Sequence, residues 1–404
     1  MRRLLIGRVL TPYRSLSPGA VLVEGRKIVA VGKAEDLYKE AVDEVIDFSS
    51  AFVSPGFIDI HLHGGGGKDT MDASLDALRV IAWTHAKGGT TSFYPTTLTA
   101  SLEHIEEALK VVRLAMELEI SEESGARVLG AHVEGPYFNE AQAGAQNPRY
   151  LKTPDEDEID RLLKTGAMKR ISLAPELPGS LEVSRKLSKL GVVVSIGHSN
   201  ALIQDVVKSL EYGFSHVTHI YSGMSLMRRE RSYRLPGVLE ATLLLDELTT
   251  EMIADGHHLP PSLMRLVLKT KGIERVCGIT DAMSAAGLGP GEYELGGLKV
   301  IVENDVVEDY EIRPTGYVAK LSNKEAFAGS VALMIDILRN IVELAQVPLQ
   351  EGIKMVTTVP ARIMNIEHER GRIAPGYFAD VTVFNEEFEI LLTMVEGVIV
   401  YRSS

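Results

Sequence analysis

Apolar positions along this chain follow two different rhythms. Near the N-terminus, short β-rich runs at 4–10, 20–23, 27–31 and 44–47 are broken by Pro12, Pro18, Gly25 and Gly32. The last stretch repeats that texture at 380–384, 390–395 and 398–401. Between them, β-rich runs alternate with amphipathic helical stretches. The runs at 57–61, 90–96, 128–134, 171–174, 192–198, 216–221, 251–254 and 276–280 read as strands. Stretches such as 102–118, 156–165, 180–190, 201–212 and 261–270 read as helices. Eight β units alternating with helices predict an α/β chain built as a (β/α)8 TIM-like barrel over 55–365. The two ends, 1–54 and 366–404, predict one small β-sandwich domain. An open doubly wound sheet is the structural alternative. No GxGxxG follows the first strand, and Gly64–Gly67 lacks that spacing, so dinucleotide binding is not expected.

Bulk properties narrow the function classes. The 404 residues, 45% of them hydrophobic, can bury a large core without disulfides, and the one cysteine, Cys277, excludes an internal disulfide. A net charge of −13 argues against nucleic acid or an anionic membrane as main partner. The apolar start is too brief for a signal peptide, and no run approaches the roughly 20 residues that span a bilayer. A cytoplasmic protein is the expectation.

Candidate chemistry gathers at the C-terminal ends of the expected strands, where barrel enzymes carry their sites. His61 and His63 close the first strand as His-Leu-His, and alternate strand residues share a side. Glu134 closes the third strand, His198 the fifth, His219 the sixth and Asp281 the eighth. One such histidine alone is an ordinary packed residue. Six imidazoles and carboxylates at one rim suit a divalent metal, zinc or iron. Among the other histidines, His85, His104 and His368 read as surface or structural. His216 is oddly spaced from His219 and reads as core, and His132 sits below Glu134 in a supporting role. Arg228, Arg229, Arg231 and Arg234 make a basic stretch, read as a solvated loop for the first three.

At these residues the chain resembles the amidohydrolase superfamily, and within it the N-acetylglucosamine-6-phosphate deacetylase family. The resemblance covers nearly the whole chain. It rests on Pro55-Gly-Phe-Ile-Asp-Ile-His-Leu-His63, His132-Val-Glu-Gly-Pro136, Gly197-His-Ser-Asn200, Asp255-Gly-His-His258, Thr280-Asp-Ala-Met283 and Ala328-Gly-Ser330. It implies metal-dependent hydrolysis of the N-acetyl group of an amino-sugar 6-phosphate. Glu134, His198 and His219 would hold the main ion, His61 and His63 a second, and Asp281 would act as catalytic aspartate beside the metal. His258 would contact substrate, and Arg234 would reach the phosphate from the neighbouring subunit of a homodimer. Gln146 stands where some members carry histidine. Ser222 and Gly223 replace a common Asn-Ala where the sugar phosphate is seated, which leaves the exact sugar open.

Other readings make distinct demands. A cyclic-amide hydrolase or dipeptidase would favour a carboxylated lysine at a strand end, where this chain has Glu134. Deacetylation of a galacto-configured or unphosphorylated sugar keeps the same chemistry. A non-catalytic sugar-binding protein on a decayed scaffold predicts loss of a ligand or of the aspartate, and all are present.

Overall fold

The computed structural model describes residues 1–304 and 316–403. Among them, eight parallel strand positions form a ring: Phe57–Leu62, Thr90–Pro95, Arg127–Val128 continued by Ala131–Glu134, Met168–Leu173, Val193–Ile196, Phe214–Val217, Thr249–Ile253 and Val276–Ile279, here barrel strands one to eight. A parallel bridge between Thr96 and His132 joins strands two and three. A bridge between Leu62 and Ala282 closes strand eight onto strand one. The chain is an α/β TIM-like barrel. Strand one is buried at all six positions, as expected for a parallel strand covered on both faces.

Each barrel strand is followed by a helix. After strand two, Leu102–Met116 buries Leu102, Ile105, Ala108, Leu109, Val112 and Ala115, a stripe at three- and four-residue spacing. Ser101 starts it, its hydroxyl accepting from His104 N. Fully burying such a leucine or valine contributes roughly 1.5–3 kcal/mol.

Both chain ends enter one seven-stranded sheet, ordered Val398–Arg402, Ile390–Val395, Val381–Phe384, Glu44–Pro55, Arg2–Leu10, Ser15–Glu24 and Lys27–Lys33. Glu44–Pro55 runs well past the expected 44–47: the apolar pattern breaks at Ser49 and Ser50 and the register shifts there, but pairing resumes from Phe52 to Pro55. Gly56 then turns this strand into barrel strand one, and a Cβ there would lie 2.2 Å from Thr91 Oγ1. A buried ionic knot fastens sheet to barrel. Glu396 accepts from Arg127 on strand three at 3.0 Å, from Arg370 at 2.5 Å and from Arg26.

Two features were not anticipated. A three-stranded antiparallel sheet, Gly291–Leu295, Leu298–Glu303 and Val318–Leu321, lies between strand eight and its helix Met334–Glu343. Its first turn, Gly296-Gly297, has both residues at positive φ, a hairpin signal masked by the surrounding acidic residues. The basic stretch forms an exposed hairpin, Arg228–Glu230 with Tyr233–Leu235. Among the described residues, no helix is long and apolar enough to cross a membrane.

Candidate metal centre and active site

The strands end one or two residues before several of the chemically active side chains. Strand five stops at Ile196, strand six at Val217 and strand eight at Ile279, shorter than the sequence pattern suggests. His198, His219 and Asp281 follow in left-handed backbone, with φ of 45°, 23° and 48°. L-residues adopt this region at a cost, and here it turns three side chains inward over the barrel mouth.

All four expected imidazoles meet Glu134. Its Oε1 lies 3.1 Å from His219 Nε2, 3.5 Å from His198 Nε2 and 3.5 Å from His61 Nε2. Its Oε2 lies 3.3 Å from His63 Nε2. Asp281 Oδ1 is 3.3 Å from both His61 Nε2 and His63 Nε2. Two groups result, His61–His63–Glu134 and Glu134–His198–His219, each with ligand atoms within 4.8 Å of one another, and Glu134 belongs to both.

The opposite ring nitrogens decide what fits there. Nδ1 donates to Glu251 Oε2 at 3.0 Å in His61, to the Thr96 carbonyl at 3.2 Å in His63, to the Gln142 carbonyl at 2.8 Å in His198 and to the Ser222 carbonyl at 3.1 Å in His219. Each partner can only accept, so Nδ1 keeps its proton and in the neutral ring Nε2 carries a lone pair toward the carboxylates. Nε2 of His61 and of His198 is buried without a hydrogen-bond partner. Lone pairs facing carboxylate oxygens at 3.1–3.5 Å call for a cation between them. Burial pushes the His61 imidazole down, but Glu251, Glu134 and Asp281 outweigh it and hold it well above its ordinary value. His63 is likewise raised to about 9, burial being outweighed by Asp281 and Glu134. The oxygens that draw protons to these nitrogens would draw a metal ion.

A cavity of about 190 Å3 opens over the cluster. Of the other expected residues, Gln146, Ser222, Gly223 and His258 line it with Asp281. Gln146 donates to Glu134 Oε2 at 2.8 Å and accepts from Thr99 N at 2.9 Å, so it braces the central carboxylate. Gly223, at φ 56°, passes so near His198 that a Cβ would lie 2.8 Å from its Nδ1. His258 donates through Nδ1 to Asp255 Oδ2 at 2.8 Å and packs on Phe327, with ring centroids 4.6 Å apart. Arg234 is not brought to the cavity of its own chain; it lies on the exposed hairpin with Arg228, Arg229 and Arg231. A larger cavity of about 420 Å3, beside helices Leu75–Ala86 and Leu102–Met116, carries none of these groups.

His132 lies one layer down, its Nε2 2.7 Å from Ser172 Oγ. His216 is fully buried against Thr249 Oγ1 at 2.7 Å, and burial lowers it to about 4. Sequence reasoning missed Glu251, Arg170 and Asp59, which are buried beneath the cluster. Their signal was a charged residue inside an otherwise strand-like run, as in Thr249-Thr-Glu-Met-Ile253.

The chain is similar to known proteins along nearly its whole length. The amidohydrolase family model matches residues 52–400. The N-acetylglucosamine-6-phosphate deacetylase of Lysinibacillus sphaericus is 34% identical over 366 residues, covering 90% of this chain and 89% of that protein. The N-acetylgalactosamine-6-phosphate deacetylase of Escherichia coli O157:H7 is 34% identical over 355 residues, covering 87% and 89%. The crystal structure of N-acetylglucosamine-6-phosphate deacetylase from Pasteurella multocida superposes with a TM-score of 0.90 at 30% identity, covering 100% of both chains. With a family match over most of its length, 34% identity to a relative across 90% of the chain and a superposing barrel, the chain belongs to the amidohydrolase family and, within it, to the N-acetylglucosamine-6-phosphate deacetylase family.

Proposed function

We propose that this protein hydrolyses the N-acetyl group of N-acetylglucosamine-6-phosphate, giving glucosamine-6-phosphate and acetate. One observation carries the reading: four imidazole Nε2 atoms converge on Glu134, with Asp281 beside two of them, at the floor of a cavity of about 190 Å3. His61, His63, Glu134, His198 and His219 would hold one or two divalent ions, zinc or iron, with Asp281 alongside. When bound, the metal supplies Lewis acidity and makes water a competent nucleophile near neutral pH.

The chain's own residues do the rest. Burial pushes the Asp281 carboxyl up, but His61 and His63 outweigh it and hold it below its ordinary value; with those rings neutral as ligands, the cation they hold would keep it ionised and ready to accept a proton. Asp281 takes one proton from the attacking water as oxygen bonds to the acetyl carbon. It returns that proton to the sugar nitrogen as the C–N bond breaks. His258 donates through Nδ1 to Asp255, which holds the ring above its ordinary value against burial; in its protonated form it would donate Nε2–H to the carbonyl oxygen as charge builds there. Leu98 and Phe327 give the cavity apolar wall for the acetyl methyl.

Phosphate recognition rests on family resemblance. Arg234, exposed on its hairpin, would serve the neighbouring subunit's site in a homodimer, with Ser222 and Gly223 seating the sugar. The terminal sheet, read as the small β-sandwich domain of 1–54 and 366–404, would brace a catalytic barrel of 55–365. The barrel's buried free cysteine, Cys277, suits a reducing cytoplasm. The test is Arg234→Ala: KM should rise for the phosphorylated sugar and stay put for the unphosphorylated one. An unchanged KM for the phosphorylated sugar would remove Arg234 from the site.

A further inference from the structure

Beneath the imidazole cluster lies an ion pair with no contact to solvent. Arg170 of strand four and Glu251 of strand seven are each 0% exposed and pair through Nη1 and Oε1. Taking two charges out of water costs several kcal/mol per ion, and apolar residues of similar volume commonly do as well or better for stability. The remaining contacts explain the pair. Glu251 Oε2 accepts from His61 Nδ1 at 3.0 Å and from the backbone N of His219 at 2.9 Å. One oxygen therefore fixes the tautomer and tilt of one ring and the strained turn, at φ 23°, that aims another. Arg170 holds the flanks, donating to the Ile60 carbonyl at 3.2 Å and to Thr218 Oγ1 at 3.1 Å, each one residue before those histidines. Its Nε reaches Ser195 Oγ at 3.0 Å, so the pair ties strands one, four, five, six and seven together under the centre.

We infer that Glu251, locked in place by Arg170, is a positioning residue that sets both His61 and His219 for a divalent cation. The inference rests on the metal-centre reading above and extends it to a residue that touches neither substrate nor metal.

The test uses the full chain, stripped of metal, and measures zinc affinity by chelator competition beside denaturant stability. Glu251→Gln keeps the shape but gives up one acceptor and the charge. Arg170→Met with Glu251→Leu removes the whole pair and leaves no buried charge unpaired. Both variants are expected to bind zinc about 10–100-fold more weakly, and the double variant to be at least as stable as Glu251→Gln. A double variant with zinc affinity within threefold of the parent would overturn the inference. So would one that does not fold, since the pair would then be structural, and so would a parent chain that takes up no zinc. Acetate release is read separately. Zinc binding as expected with no turnover of any acetylated sugar would refute the proposed function and leave the role of Glu251 standing.

Discussion

Asp281→Asn separates the chemistry of Asp281 from its backbone. The residue sits at φ 48°, left-handed backbone that asparagine and aspartate adopt more readily than other L-residues. Asparagine also keeps the main-chain bonds of Asp281, from its N to the His61 carbonyl at 2.9 Å and from Ser330 N to its own carbonyl at 2.8 Å. Glu134 still touches all four imidazoles, so metal should remain bound. What asparagine cannot do is take up and return a proton. A positioned acid–base group contributes 10²–10⁴-fold, or about 2.7–5.4 kcal/mol at 1.36 kcal/mol per decade. We expect kcat to fall by that factor with KM within about threefold and metal content unchanged. The assay is steady-state acetate release on protein whose metal has been quantified. A kcat within tenfold of the parent, with metal bound, would refute the proton-shuttle role.

Gln146→Leu removes the donor to Glu134 Oε2 and leaves the buried Thr99 N unpaired. It should cost about 1–3 kcal/mol in denaturant unfolding and weaken metal affinity about 10–100-fold by chelator competition. Chelation should abolish turnover and lower the unfolding midpoint. An ion present at a thousand times its Kd contributes about 4.1 kcal/mol, so an unchanged midpoint would argue against a tightly held metal. Burial pushes the Glu396 carboxyl up, but hydrogen bonds from Arg127 and Arg370 outweigh it and bring it down to about 2 from 4.5. Because its folded value lies below the unfolded one, its stabilisation is complete above about pH 4.5 and is lost as pH falls toward 2. Glu396→Gln should therefore destabilise the protein at neutral pH and flatten the stability profile across that window, while kcat/KM at neutral pH stays unchanged.

The barrel was legible because parallel strands covered on both faces leave continuous apolar runs between amphipathic helices. The rim ligands were legible because His-Leu-His and His-Val-Glu place like chemistry at strand ends. Strand ends were overextended at His198, His219 and Asp281, since a left-handed turn leaves no mark in hydrophobic periodicity. The Arg170–Glu251 pair went unnoticed for a related reason. The expected runs began at 171 and 251, which put Arg170 outside its strand and Glu251 at the edge of its own, and nothing local links two charges 81 residues apart. The insert after strand eight was hidden by glycines and acidic residues that read as loop, although Gly296-Gly297 carries the turn signal.

The central claim is tested most directly by supplying metal-quantified protein with N-acetylglucosamine-6-phosphate, its galactosamine epimer and both unphosphorylated sugars, and measuring acetate. The account predicts release from N-acetylglucosamine-6-phosphate with the highest kcat/KM, lost on chelation and in Asp281→Asn. No acetate from any of the four, with metal stoichiometrically bound, would contradict it.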